Sequence, residues 1–196
     1  MWDPAVGFTT LNVAGSTSTT ALGINNAGQM VGTSSDFRGP QGYLRDTSGG
    51  FTTVLPVGAI FSTASGINSA GIIAGSFFGE TGSHGFVRNE GGLFDVLDVP
   101  GSTLSFASGI NEAGDIVGGY RDVFGGQHGF LRDVKGGLSA VDPPDSQWTE
   151  AAFGINSAGE IVGYFHDKNN GDTHGFIRDA EGHFFNHRRS SGAANK

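Results

Sequence analysis

The residues best suited to chemistry gather late in the chain. His166 stands next to Asp167, with Glu150 and Asp122 upstream. An imidazole beside a carboxylate is an acid–base set. Two carboxylates, Glu150 and Asp122, are also the pair that glycoside hydrolysis uses. A second group is aromatic. Phe77, Tyr120 and Phe165 occupy equivalent positions, with Trp148 nearby, and Asp122 and Asp167 lie two residues beyond the last two of the column. Aromatic faces beside carboxylates suit sugar rings, whose C–H faces stack while their hydroxyls bond to acids. The competing expectation is that these rings only fill gaps between structural units.

A third group, His84, His128 and His174, recurs along the chain and invites a metal assignment. Zinc needs its ligands within about 2.1 Å, however, and equivalent positions of a ring-shaped repeat point apart. Each imidazole is therefore expected to bond locally, and no metal or other cofactor is expected. The stretch Asp167-Lys168-Asn169-Asn170-Gly171-Asp172 has the look of a calcium loop. Its Gly stands one place too early and no Glu closes it, so it is expected to be a polar hairpin. Nucleophile-elbow and phosphate-loop motifs are absent. With no Cys, thiol chemistry is excluded too.

What must position these groups is a fourfold repeat. Gly-Ile-Asn-x-Ala-Gly occurs at 23–28, 66–71, 109–114 and 154–159, so its asparagines are spaced by 43, 43 and 45 residues. A second anchor follows each time, as in His84-Gly85-Phe86-Val87-Arg88, His128-Gly129-Phe130-Leu131-Arg132 and His174-Gly175-Phe176-Ile177-Arg178; Gln41-Gly42-Tyr43-Leu44-Arg45 is its first form. The repeats run over about 8–50, 51–92, 93–137 and 138–182, within one domain of 1–196, and 183–187 restarts a strand that either closes the array or is surplus to it. Four recurring columns hold 16 of the 35 glycines. The stretch 143–150 in the fourth repeat is expected to be a loop two residues longer than its counterparts.

Each repeat reads as four short strands. The first begins at Phe8–Val13 and the second runs into Gly-Ile-Asn; the third spans Gln29–Ser34, and the last carries Gly-Phe-x-Arg. Alternation at period two marks half-buried strands, and apolar spacing of three and four is missing, which argues against helices. Asn and Gly columns suit tight hairpins. Four-stranded units with a period of roughly 40–45 residues predict an all-β protein, a small β-propeller of about four blades of four antiparallel strands. The blades could close within one chain, pair with a second chain as a homodimer of eight, or stay open. Trp2-Asp3-Pro4-Ala5-Val6-Gly7-Phe8 resembles the tail of a preceding repeat.

Composition removes other classes. With 19 acidic and 11 basic residues the net charge is −8, which disfavours a nucleic-acid groove. No apolar run approaches the ~20 residues of a spanning helix, so no membrane partner is expected. The start of the chain has neither the basic residues nor the apolar stretch of a signal peptide.

The sequence Ile-Asn-x-Ala-Gly-x-Ile-Val-Gly followed by His-Gly-Phe-Leu-Arg-Asp resembles the bacterial HAF-repeat family, from about Phe8 to Phe185. Here Gly replaces the middle Ala of the family's signature, and Gln41 and Tyr43 depart from it in the first repeat. The resemblance implies a secreted or extracellular bacterial protein and carries over no catalytic residues. Two functions are then expected. One is a binding module for a glycan, a small molecule or a surface partner, using Phe77, Tyr120, Trp148 and Phe165. The other is a hydrolase or lyase using His166, Asp167, Glu150 and Asp122, centred on the divergent fourth repeat.

Overall fold

The computed structural model describes residues 2–3 and 7–185. Among them every regular element is a strand. Sheet one contains β3 (Ser18–Ile24), β4 (Met30–Asp36), β5 (Gly39–Arg45) and β6 (Phe51–Val54), and sheet two β7 (Ala59–Ile67), β8 (Ile73–Gly79), β9 (Gly82–Arg88) and β10 (Phe94–Leu97). Sheet three contains β11 (Ser102–Ile110), β12 (Ile116–Asp122), β13 (Gln127–Arg132) and β14 (Leu138–Ala140). Sheet four has β15 (Ser146–Ile155), β16 (Ile161–Asp167), β17 (Thr173–Arg178) and β18 (Phe184–Phe185). Before them β1 (Trp2–Asp3) and β2 (Gly7–Phe8) form a separate hairpin. All pairings are antiparallel between chain neighbours.

The four-sheet architecture expected from the repeats is therefore present, and its phase is now defined. The strand that opens each sequence repeat pairs as the outer strand of the sheet before it, as Phe51–Val54 does with β5. Phe184–Phe185 likewise completes sheet four, while 186 and 187 of the expected strand lie outside the described residues. At the other end the strand expected over Phe8–Val13 is confined to Gly7–Phe8, because only β1 is there to pair with it.

Sheets pack face to face in chain order: one on two, two on three, three on four. Val31, Leu44 and Val54 of sheet one meet Ala64, Ile67, Ile73 and Phe86 of sheet two. Ala74, Val87 and Leu97 meet Ala107, Ile116 and Phe130, and Val117, Leu131 and Val141 meet Ala152, Ile161 and Phe176. We call the side of each sheet turned to its predecessor the front, and the other side the rear. Among the described residues no comparable packing joins sheet four to sheet one. The array is open.

Small residues allow the close approach at the inner strands. Each inner strand carries a bulge between its Ala and its Gly, at Ala21/Gly23, Ala64/Gly66, Ala107/Gly109 and Ala152/Gly154. The extra residue turns Ala to the front and Gly to the rear. A Cβ on Gly66 would stand 3.3 Å from the backbone of Ile110. In the next strand, a Cβ on Gly75 would collide with the Thr63 carbonyl and the Phe86 ring.

The asparagines tie the sheets together. Asn25 Nδ2 donates to the Asn68 carbonyl at 3.0 Å, Asn68 Nδ2 to that of Asn111 at 3.3 Å, and Asn111 Nδ2 to that of Asn156 at 3.4 Å. Each side-chain oxygen meanwhile accepts a backbone N–H of its own turn, such as Ile72 N on Asn68 at 3.0 Å. The turns end on Gly28, Gly71, Gly114 and Gly159, all at positive φ between 77° and 93°. Asn68 is buried whereas Asn156 is exposed. Asn68→Ala should cost about 2–3 kcal/mol, because it removes a buried donor and leaves an acceptor unsatisfied. Asn156→Ala should cost about 1 kcal/mol, the turn bonds alone. Urea unfolding of both variants as single copies compares them, and equal costs there would disprove the role of the ladder.

Candidate functional site

The connections divide the molecule into two ends. At one end lie the asparagine turns and the hairpins beginning at Asp46, Asn89, Asp133 and Asp179, each five residues long. At the other lie the hairpins after β4, β8, β12 and β16, whose connections lengthen from two residues to four and five. Candidate chemistry collects at this variable end.

The two additional residues of the longer spacing are not both in the 143–150 stretch, which corrects that expectation. One lengthens the β12–β13 hairpin. The other is Glu150, an extra bulged residue within β15, where the register shifts between Thr149 and Ala151 in addition to the shifts shared with β7 and β11. Bulges commonly re-aim a side chain beside a site. Here Glu150 Oε1 lies 3.4 Å from His166 Nε2. In the amide orientation that satisfies both its ends, Gln127 Nε2 donates to Glu150 Oε2 at 2.8 Å, and Gln127 Oε1 accepts from Arg121 Nη2 at 3.1 Å. A row of carboxylate, amide and guanidinium results. It borders a cleft of about 250 Å³ lined by Leu104, Phe106, Tyr120, Arg121, Gln127 and Glu150.

The four residues expected to be catalytic separate into different environments. His166 and Glu150 meet, and His166 also contacts Thr173 Oγ1 at 3.2 Å and lies tilted against Trp148 at 4.9 Å between centroids. Asp122 instead belongs to His128, whose Nε2 lies 3.2 Å away, with Asp142 Oδ2 at 2.8 Å from Nδ1. Asp167 is buried and accepts the Asn169 N–H at 2.7 Å within its own polar hairpin, turned away from His166 by strand alternation.

The aromatic column separates in the same way. Phe165 is 1% exposed and packs into the core between sheets three and four, so no ligand reaches it. Phe77 packs between sheets one and two beneath His84, at 5.2 Å. Tyr120 stacks with His128 at 5.0 Å and packs on the core between sheets two and three, bordering the cleft beside Arg121. Trp148 is half-buried against His166. Of the column, only Tyr120 lines the cleft. Leu104, Phe106, Arg121 and Gln127 line it too, although no recurring motif marks them.

The recurring histidines bond locally. His84 joins Thr81 at 2.8 Å and Asp98 at 2.9 Å, and His174 faces Asp167 at 4.0 Å. Among the described residues, no three His, Asp or Glu side chains are arranged to hold a metal ion. Burial works against a charged His128, but its hydrogen bonds to Asp142 and Asp122 outweigh burial and hold it above the usual histidine value. Chiefly the Gly126 N–H, helped by His128, holds Asp122 below the usual carboxylate range. Burial, with the charges of Asp142 and Asp122, raises the Tyr120 hydroxyl.

Sheets built outward from small-residue inner strands and packed in sequence define a β-propeller, and two solved structures agree. TolB from Acinetobacter baumannii superposes with a TM-score of 0.65 at 16% identity, over 87% of this chain and 42% of TolB. A structure assigned as a gluconolactonase superposes with a TM-score of 0.54 at 15% identity, over 87% of this chain and 63% of its own. The chain thus spans less than two thirds of either. Both are β-propellers, and at these identities the likeness concerns the fold alone. No protein-family model matches the sequence, and no curated protein matches it significantly.

The raised His128 has a consequence for stability. A histidine raised in the folded state stabilises fully below its unfolded value, about 6.5, and that contribution fades as pH rises through the folded value. His128→Gln should therefore lose most stability relative to wild type near pH 5 and least near pH 9. Urea unfolding across that range measures the difference, and a gap independent of pH would contradict the charged His128.

Proposed function

We propose that the protein is a secreted β-propeller module that binds carbohydrate in the cleft between sheets three and four. The observation that carries this reading is the bulged Glu150. One inserted residue lines up a carboxylate, the Gln127 amide and the Arg121 guanidinium along a single cleft. Such a row can bond several hydroxyls at once, since it combines acceptors and donors. Phe106 and Leu104 supply the apolar surface for the C–H face of a sugar ring. At about 250 Å³ the cleft lies just below the roughly 300 Å³ where small-molecule pockets usually begin, which suits one ring. Secretion rests on the resemblance of the repeats to HAF-repeat proteins.

A glycan array followed by calorimetry tests this. Ligands found on wild type should bind at least about tenfold more weakly to Glu150→Ala and Arg121→Ala, a loss of one charged hydrogen bond each. Circular dichroism should be unchanged. Binding unaffected by either substitution would place the site elsewhere.

A hydrolase or lyase is the second reading, favoured by the contact between His166 and Glu150 with the Trp148 ring beside His166. Asp122 is a poor partner in it, since its hydrogen bonds keep it ionised and facing His128. On this reading His166→Ala abolishes turnover of a substrate from the array while the fold persists. Unchanged turnover would exclude His166.

A further inference from the structure

Among the described residues the same sheet-to-sheet contact is made three times, and one half of it stays uncovered on the rear of sheet four and the other on the front of sheet one. On the rear of sheet four, Val162 is 46% exposed, while its equivalents Val31, Ala74 and Val117 are 0% exposed. Ile177, the equivalent of half-buried Leu44, Val87 and Leu131, is 47% exposed. Phe153 and Tyr164 stack on this face at 5.4 Å. A Cβ on Gly109 would meet the Phe153 carbonyl of the next sheet, whereas one on Gly154 meets only Val162 of its own.

The front of sheet one is the complement. Ile24 is 57% exposed where Ile67 is 7%. Met30 is half-exposed where Ile73, Ile116 and Ile161 are buried, and Ala21 is exposed where Ala64, Ala107 and Ala152 are buried. A groove of about 460 Å³ runs across this face, between residues 9–12 and the side chains of Ala21, Met30, Arg45 and Phe51.

The asparagine ladder is open at the same two places. Asn25, Asn111 and Asn156 each give one amide hydrogen to the side chain four residues on. Asn25 and Asn111 give the other to the next sheet's asparagine carbonyl. Among the described residues Asn156 has no such second acceptor, and the Asn25 carbonyl receives no such donor.

We propose that the rear of sheet four docks on the front of sheet one of a second copy of this chain. The contact repeats between chains what the chain already does within itself: Val162 and Ile177 take the places of Val31 and Leu44, and Asn156 donates to Asn25. The occupant is a second copy because these faces match each other by the same residue columns that form the three internal interfaces. Such a contact is heterologous, and two copies satisfy both halves of each by closing into a ring of eight sheets. Outside the four packed sheets, β1 and β2 pair as a separate sheet of two short strands, and an isolated pair of that size is marginal in water.

Light scattering on the 196-residue chain should give about twice its 20.2 kDa mass. Val162→Asp and Met30→Asp each spoil one half, so each variant alone should be a monomer. Mixed together they should again give a dimer, since one copy keeps an intact front and the other an intact rear. Ile177→Arg with Ile24→Arg provides an independent second pair, and circular dichroism checks that all four fold. Larger head-to-tail species dispersed by the same substitutions would also support the contact. A monomeric wild type would overturn it, as would folded variants that stay apart when mixed.

Discussion

The asparagine of each Gly-Ile-Asn motif is the constraint on which the rest of the structure depends. At Asn25 the amide closes a turn, reaches the side chain four places on, and bonds the carbonyl of the next sheet's asparagine. A buried amide must have all its partners, because an unmade bond there costs the full desolvation of the group. The distance and angle between neighbouring sheets are therefore set at the inner edge. Nearby, Glu112 gathers Ser69 and Asn26 from the two preceding turns, at 2.9 and 3.4 Å, so the turns converge on one axis. Glycine on one inner strand and alanine on the next permit that convergence. The apolar layers further out fill the wedges that it opens.

Fixing the geometry at one end frees the other. The five-residue turns at the ladder end keep their length and hydrogen bonding throughout, whereas the opposite hairpins change both. In sheet one the hairpin is closed by Asp36 and Arg38, in sheet three Asp122 turns to His128, and in sheet four a run of Asn and Asp bonds to itself. The candidate site arises where two such departures adjoin. The lengthened β12–β13 hairpin and the bulge at Glu150 face each other across one sheet interface.

Most of the fold was legible because a repeat announces itself. Period, alternation and the Asn and Gly columns are all local patterns. The ladder was not, since a bond between Asn25 and Asn68 depends on how two sheets pack and leaves no mark beyond the repeat itself. Phase was equally hidden: Phe51 opens a sequence repeat but pairs backward onto Arg45. At the site, alternation shows that Phe165 and His166 face opposite ways but not which way is covered. Covering Phe165 removed one expected ligand contact, and exposing Arg121 supplied one that nothing in the columns suggested. Glu150 stood out as part of a divergent segment. That it is itself the inserted residue became visible only from the register of β15.

The bulge shared by every inner strand sets where the repeat can change in length. It lets one strand offer a methyl group forward and bare backbone backward within three residues. Losing a single residue there would reverse the alternation of everything downstream in the strand and bring Ile to the crowded axis. Gaining residues in the variable hairpins disturbs no pairing at all. Insertions are thus accommodated asymmetrically along each unit, in the variable hairpins and, through the further bulge at Glu150, within one inner strand.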